Sequence, residues 1–296
     1  MFNHFQKIYV HNFLAKQKNE ETLSMKVQSS PIMYVGGKSR LVEILKPMIP
    51  QHTCYVEAFA GGANLLFSRL PSKVEVLNDF DSNLINFYKV VRDDYVALIQ
   101  SLEFTLTSRE LFEEYKAKYK KNDYKDSLEQ AHIYYYLNRA CFAADMRNPV
   151  FGTHTDRPNG LVVKDIDKNI RLAHSRLSKV TIENKSFEFL FDIYDTENTF
   201  FFLDSPYRET KQYAVGNFGD DKFQLLKECC EKCKGKFLYT INDDEYIREL
   251  FKDFYIQDHN VQYSVSQFDE GRREFKELII TNYEIKKKNQ LGKFVK

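Results

Sequence analysis

An α/β fold interrupted by a helical insertion is predicted by three observations. Apolar runs of strand length, Cys54-Tyr-Val-Glu57, Val74-Glu-Val-Leu77, Thr199-Phe-Phe-Phe-Leu203 and Phe237-Leu-Tyr-Thr-Ile241, alternate with helically periodic segments. From about residue 95 to 178 that alternation stops; the pattern is helical, with Tyr, Lys and Arg interleaved and no convincing long strand. The run 199–203 is apolar on both faces, as a central strand of an α/β sheet requires.

Residues 1–30 are polar and irregular apart from Phe2, Phe5, Ile8 and Phe13, and are expected to form an extension outside the core. Because Met25 stands just ahead of the first well-patterned segment, residues 1–24 are expected to be dispensable. Ser39 is expected to cap a short helix carrying Leu41, Ile44 and Leu45, which Pro47 ends. The strand 54–57 then leads through the small-residue loop Ala58-Phe-Ala-Gly-Gly62 into a helix beginning near Asn64. After the strand 74–77, which ends at Asn78-Asp79, Leu84, Phe87, Tyr88 and Val91 share one helical face. Beyond the insertion, strands are expected at Val180-Thr-Ile182 and 199–203, a helix at about 221–234, the strand 237–241, and a helix holding Tyr246, Ile247, Leu250 and Phe251. Two final strands, near 254–265 and 276–282, are expected to pair antiparallel, and the basic tail 286–296 reads as a solvated end.

The 296 residues carry 43 basic and 42 acidic side chains, with 43% hydrophobic and 15% aromatic residues. That balance describes a soluble globular chain, neither a disordered tail nor a fibre, and the net charge of +1 excludes a strongly polyanion-coated protein while permitting a local basic face. No stretch approaches the roughly 20 apolar residues needed to cross a bilayer, and no signal peptide is evident, so a cytoplasmic location without a membrane partner is expected. Five cysteines do not make a disulfide framework. Cys229, Cys230 and Cys233 share helical spacing with Phe223, Leu225 and Leu226, and core thiols are the preferred reading over a zinc site, which wants four ligands.

Three segments carry possible chemistry. Gly36-Gly-Lys-Ser39 looks like the end of a phosphate-binding loop, but that motif needs a glycine where this chain has Ile32, so a nucleotide triphosphatase is excluded. The strand, loop and helix around Glu57 and Gly61-Gly62 suit close backbone approach to a cofactor, and Asp79, 22 residues beyond Glu57, suits a ribose diol; tight strand-to-helix turns also use glycine for packing, so this element alone leaves both readings open. Asp204-Ser-Pro-Tyr207 places a charge directly after the most apolar strand, at an end that should face a ligand crevice. The plainer alternative is an Asp that caps neighbouring backbone.

Taken in order, Tyr34-Val-Gly-Gly-Lys38, Tyr55-Val-Glu-Ala-Phe-Ala-Gly-Gly62, Leu77-Asn-Asp-Phe-Asp81 and Asp204-Ser-Pro-Tyr207 resemble the Dam-type (D12 class) DNA adenine-N6 methyltransferases. The resemblance runs over about residues 31–283, including Tyr134-Tyr-Tyr-Leu-Asn-Arg139 and Glu277-Leu-Ile-Ile-Thr-Asn-Tyr283. It implies a Rossmann-like S-adenosylmethionine-dependent domain formed by residues 31–94 and 179–285, with a mainly helical target-recognition domain inserted at 95–178. It implies further that Tyr34, Gly36 and Lys38 line the cofactor site, that the loop with Glu57, Phe59 and Gly61 passes around the methionine part, and that Asp79 holds the adenosine end. Asp204, beside the methyl group, would form the catalytic turn with Ser205, Pro206 and Tyr207.

The chemistry agrees with that assignment. The N6 lone pair of adenine is delocalised into the ring, so acceptors on both N6 hydrogens, the Asp204 carboxylate and the Ser205 carbonyl, would favour a pyramidal nitrogen facing the methyl. Tyr207 would stack on the base after it leaves the duplex. No metal is needed, because the sulfonium supplies the leaving group.

Double-stranded DNA is the expected partner, with Asn138, Arg139, Arg147 and Asn148 as expected contacts, a monomer as the expected state, and a cognate restriction endonuclease as a possible companion. Residues 131–185 hold nine basic against five acidic side chains, an excess that suits phosphate contacts. Two departures stand out. Ser205 replaces the first of the family's two prolines, and Cys141-Phe-Ala-Ala-Asp-Met-Arg-Asn-Pro-Val-Phe-Gly152 differs from the segment by which GATC-methylating relatives read DNA, so the target sequence cannot be inherited. The competing readings are a non-catalytic DNA-binding relative and a methyltransferase for cytosine N4 or RNA adenine.

Overall fold

Among the described residues seven strands build one sheet: β1 (Cys54–Glu57), β2 (Val74–Asn78), β3 (Thr181–Glu183), β4 (Thr199–Leu203), β5 (Lys236–Asn242), β6 (Tyr255–Gln262) and β7 (Glu274–Thr281), in the order β3-β2-β1-β4-β5-β7-β6. β3 to β5 across that order are parallel, and β7 runs antiparallel to both β5 and β6, as expected of the closing pair. The structure is a computed structural model that describes residues 28–34, 41–153, 155–156, 159–208, 218–262 and 274–285. The expectations for residues 1–24, Gly36, Lys38, Ser39, Arg157 and the tail 286–296 lie outside the described residues.

Pleating sorts the apolar residues onto two faces. Phe200 and Phe202 of β4 join Tyr55, Leu77 and Leu238 in one core, while Phe201 and Leu203 join Val56, Val76, Phe237 and Tyr239 in the other. All five residues of β4 are buried, which is why that run reads as apolar without alternation. The second face is covered by α8 (Phe187–Tyr194), α9 (Asp220–Lys232) and α10 (Glu245–Leu250), through Leu190 and Phe191, Phe223, Leu226 and Cys230, and Ile247. Cys230 is thus a buried core thiol.

The first face is covered by α3 (Ser82–Asp93) together with helices from the predicted insertion. α1 (Val42–Leu45) precedes them and ends ahead of Pro47, as expected; Pro47 sits near the start of a 3₁₀ turn, Lys46–Met48, where a missing N–H costs little. The short α2 (Asn64–Phe67) follows the β1 loop. Among the described residues, 95–178 are helical, as expected, with four α-helices, α4 (Tyr95–Glu103), α5 (Arg109–Lys121), α6 (Ser127–Ala140) and α7 (Val163–Leu177), and a 3₁₀ turn at Phe142–Ala144. Among the described residues they do not enclose a core of their own. Ile133, Tyr134 and Leu137 of α6 and Ile166, Ile170 and Leu177 of α7 share one core with Phe87 and Val91 of α3 and with the sheet.

One basic residue counted above proves structural. Arg176 is buried, and its guanidinium donates to Glu75 Oε1 of β2 at 2.9 Å and to the Leu66 carbonyl at 2.9 Å. A buried guanidinium requires such a partner. Arg176 therefore ties α7 to the sheet and is unavailable to a phosphate. Among the described residues, no helix is long and apolar enough to cross a membrane.

Candidate active site

The strand order reverses at β1. Sequence-adjacent β2 and then β3 extend to one side, β4 and β5 to the other, so β1 and β4 flank the switch point at which α/β sheets open a crevice beyond their carboxyl ends. Glu57 pairs in register with Leu77 on one side and Phe202 on the other. Asp79 and Asp204 each stand two residues past those partners, so both acids leave the sheet at the same height on either side of the β1 loop. With strands about 4.8 Å apart, their backbones are separated by roughly 10 Å.

The β1 loop is held from several directions. Gly61 N donates to Asp79 Oδ2 at 2.9 Å, Asp81 N donates to Asp79 Oδ1 at 2.9 Å, and Tyr88 OH donates to the Gly61 carbonyl at 2.8 Å. Gly61 has φ +45°, and a Cβ there would lie 2.9 Å from Cε1 of Tyr34, so only glycine permits both the turn and the Tyr34 contact. The structure thus brings Tyr34 and Asp79 to either side of Gly61. Burial pushes the Asp79 carboxyl above its ordinary range, against the lowering effect of the amides that donate to it. Asp81 caps α3 by accepting from Asn83 N and Leu84 N, and burial, reinforced by the charge of Asp79, raises it to about 6. Between these acids the Phe80 ring is 62% exposed. Sequence reasoning passed over it, although an apolar residue between two acids at a strand end is itself a signal that a ring is presented outward.

Glu57 and Phe59 occupy different layers of the same loop. Glu57 is buried, with Oε2 accepting from Tyr55 OH at 2.7 Å and from Leu66 N of α2 at 3.1 Å. Burial raises its pKa to about 8, and the neighbouring charge of Asp204 adds to the rise. Phe59 packs beside Phe187 and Phe218, with ring centroids 5.6 and 5.8 Å away.

On the other side of β1, the turn after β4 carries Asp204, Ser205, Pro206 and Tyr207. Asp204 Oδ1 accepts from Thr240 Oγ1 at 3.0 Å, the hydroxyls of Ser205 and Tyr239 share a hydrogen bond of 2.8 Å, and Tyr207 OH donates to Glu277 Oε1 at 3.0 Å. The Asp204 carboxylate is thus held by a side chain of β5.

The four expected DNA contacts divide. Asn138 is fully buried, and its carboxamide accepts from Met33 N at 3.1 Å and donates to Met33 O at 2.7 Å. This corrects the expectation of a DNA contact: Asn138 fixes the strand of chain that carries Tyr34, and its two polar atoms are already engaged. Arg139 is half-buried and donates to the Gly160 carbonyl at 3.2 Å. Arg147 and Asn148 lie on a loop whose base is closed by Phe142 N to Val150 O at 2.7 Å and Gly152 N to Ala140 O at 2.8 Å. There Arg147 makes two bonds of 2.7 Å to the Asp145 carboxylate, and Asn148 accepts from Lys120 Nζ at 3.2 Å. Ala143 and Ala144 both have φ +55°, and Phe142 and Val150 are exposed. Two left-handed alanines cost roughly 1–2 kcal/mol each.

Comparison with known proteins converges on one family. The profile described as D12 class N6 adenine-specific DNA methyltransferase matches residues 34–265. Type II methyltransferase M.CviBI of Paramecium bursaria Chlorella virus NC1A is 26% identical over 246 residues, covering 78% of this chain and 90% of that protein. A DNA adenine methylase of Haemophilus influenzae is 25% identical over 287 residues, 88% of this chain and 96% of the other. Type II methyltransferase M1.LlaDCHI of Lactococcus lactis is 27% identical over 275 residues, 84% and 94% respectively.

Proposed function

Because the chain belongs to the D12 class N6 adenine-specific DNA methyltransferases, we propose that it takes the methyl group from S-adenosylmethionine and places it on N6 of an adenine turned out of duplex DNA. When bound, S-adenosylmethionine supplies an electrophilic methyl on a sulfonium. The residues at the switch point fit that ligand: a glycine loop with φ +45° at Gly61, a carboxylate at Asp79 for a ribose diol, and the exposed Phe80 ring for a purine face. Tyr34 closes the loop side, and Gly36 and Lys38 are proposed to complete it.

The observation that carries the reading is Asp204, held by Thr240 at the carboxyl end of the central strand and level with Asp79 across the β1 loop. From there its carboxylate accepts one N6–H, and the Ser205 carbonyl accepts the other, which draws the nitrogen lone pair out of conjugation. Tyr207, with its hydroxyl anchored on Glu277, offers a ring to the extruded base. Contact with DNA is assigned to residues 95–178, centred on the loop 142–150, where Arg147 and Asn148 stand beside the exposed Phe142. The strain at Ala143 and Ala144 is consistent with a loop shaped for contact. A companion restriction endonuclease is proposed in view of the type II relatives' names.

The test is methyl transfer from tritiated S-adenosylmethionine to unmodified duplex DNA. Asp204→Ala should abolish transfer and leave DNA affinity nearly intact, because the carboxylate acts on N6 in the transition state and not on the phosphates that dominate binding. Transfer that survives in Asp204→Ala would remove Asp204 from the reaction.

A further inference from the structure

The β4–β5 ladder ends at the pair Leu203–Tyr239, and the four residues that follow leave the sheet. Three of their side chains are nevertheless tied back to it: Asp204 by Thr240, Ser205 by Tyr239, and Tyr207 by Glu277. Tyr239 and Thr240 are consecutive on β5, and Glu277 lies on β7 in register with Asn242, so the three anchors come from neighbouring positions on adjacent strands. Thr240 and Tyr239 are fully buried and Glu277 is 1% exposed. Polar groups so placed have no bulk water to turn to, and each is stabilised by the partner it meets. The residues they hold are the ones assigned to the reaction, Asp204 and Tyr207 through their side chains and Ser205 through its carbonyl. Anchors placed this way fix the rotation of a carboxylate and the height of a ring, whereas an unanchored turn would sample several.

We propose that Tyr239, Thr240 and Glu277 act together as a clasp of positioning residues, with the Ser205–Tyr239 hydroxyl pair at its centre, that sets the Asp204 carboxylate and the Tyr207 ring for attack by N6. The proposal deepens the adenine-methylation reading and rests on it. Each of the three anchors acts through a residue of the turn. Tyr239 and Ser205 are tested together, because their hydroxyls share one hydrogen bond. Thr240 donates to Asp204, so it fixes the direction of the carboxylate that N6 needs as an acceptor.

The experiment compares wild type, Tyr239→Phe, Ser205→Ala and the double variant in single-turnover and steady-state transfer to duplex DNA, with thermal unfolding of each. Tyr239→Phe keeps the ring and removes one oxygen. It should lower kcat by about tenfold or more, with KM for both substrates within about twofold, because misplacing reacting groups by an ångström costs on the order of a hundredfold. The double variant should be no slower than the worse single one, since both remove the same bond. Thr240→Val should lower kcat with little change in KM, and Thr240→Ser, which keeps the hydroxyl, should restore it. The clasp is overturned if Tyr239→Phe keeps kcat within twofold, if the single losses multiply in the double variant, or if only the unfolding midpoint responds. A wild-type protein inactive on every DNA would instead overturn the methylation reading and the clasp with it.

Discussion

Glu57 offers a test that needs no substrate. Its side chain is buried at the end of β1, accepts from Tyr55 OH and Leu66 N, and has its pKa raised to about 8 from an ordinary 4.5, first by burial and then by the charge of Asp204. The folded protein therefore keeps a proton that the unfolded chain releases. Stability from this group is complete below the unfolded value near 4.5 and is lost progressively as pH rises toward about 8. Glu57→Gln retains a carbonyl acceptor for Tyr55 and Leu66 but cannot ionise, so it serves as the reference. Between about pH 5 and 8, wild type should lose roughly 1.4 kcal/mol per pH unit relative to Glu57→Gln, on the order of 4 kcal/mol in all. Urea unfolding of both proteins at several pH values, with equal m-values as the control, measures the difference directly. A constant gap across that range would show that Glu57 is ionised in the folded state, and the assignment of a neutral carboxyl beneath the site would fail.

Two further outcomes follow from the site. Asp79→Ala should weaken S-adenosylmethionine binding by tenfold or more in calorimetry, while Asp79→Asn, which keeps one acceptor for the loop amides, separates loss of the ligand contact from loss of the loop; unchanged affinity in both would release Asp79 from the cofactor. Arg147→Ala should lower the salt slope of DNA binding by about one unit if the guanidinium exchanges Asp145 for a phosphate, or cost about 1–3 kcal/mol at one base position if it reads a base edge. No change in either measurement would place DNA contact elsewhere.

Much of the scaffold was legible because burial leaves a direct mark on composition. The run 199–203 is apolar because helices cover both faces of β4, and Asp79 and Asp204 were found as charges placed where such strands end. Helix α8 escaped notice: Phe187-Glu-Phe-Leu-Phe-Asp-Ile-Tyr194 is short and rich in aromatic residues, so its helical periodicity competes with a strand pattern. The helical character of residues 95–178 could be read, but not whom they pack against. In α6 every residue from Ala131 to Asn138 is buried, which erases the polar stripe that would have shown its orientation. Asn138 looked like a surface contact for the same reason, since a carboxamide engaged with distant backbone at Met33 leaves no local trace. Tyr239, Thr240 and Glu277 were invisible as site residues because their roles depend on sheet order. β7 inserts between β5 and β6, and no spacing in the sequence announces that Glu277 stands near Tyr207.

The central claim is that this chain methylates N6 of adenine in duplex DNA through Asp204. Wild-type protein should be incubated with labelled S-adenosylmethionine and unmodified duplex DNA, and the DNA digested to nucleosides and resolved by mass spectrometry. The account predicts label in N6-methyldeoxyadenosine alone, and none with Asp204→Ala. Label in N4-methyldeoxycytidine, or label in RNA but not in DNA, would contradict it.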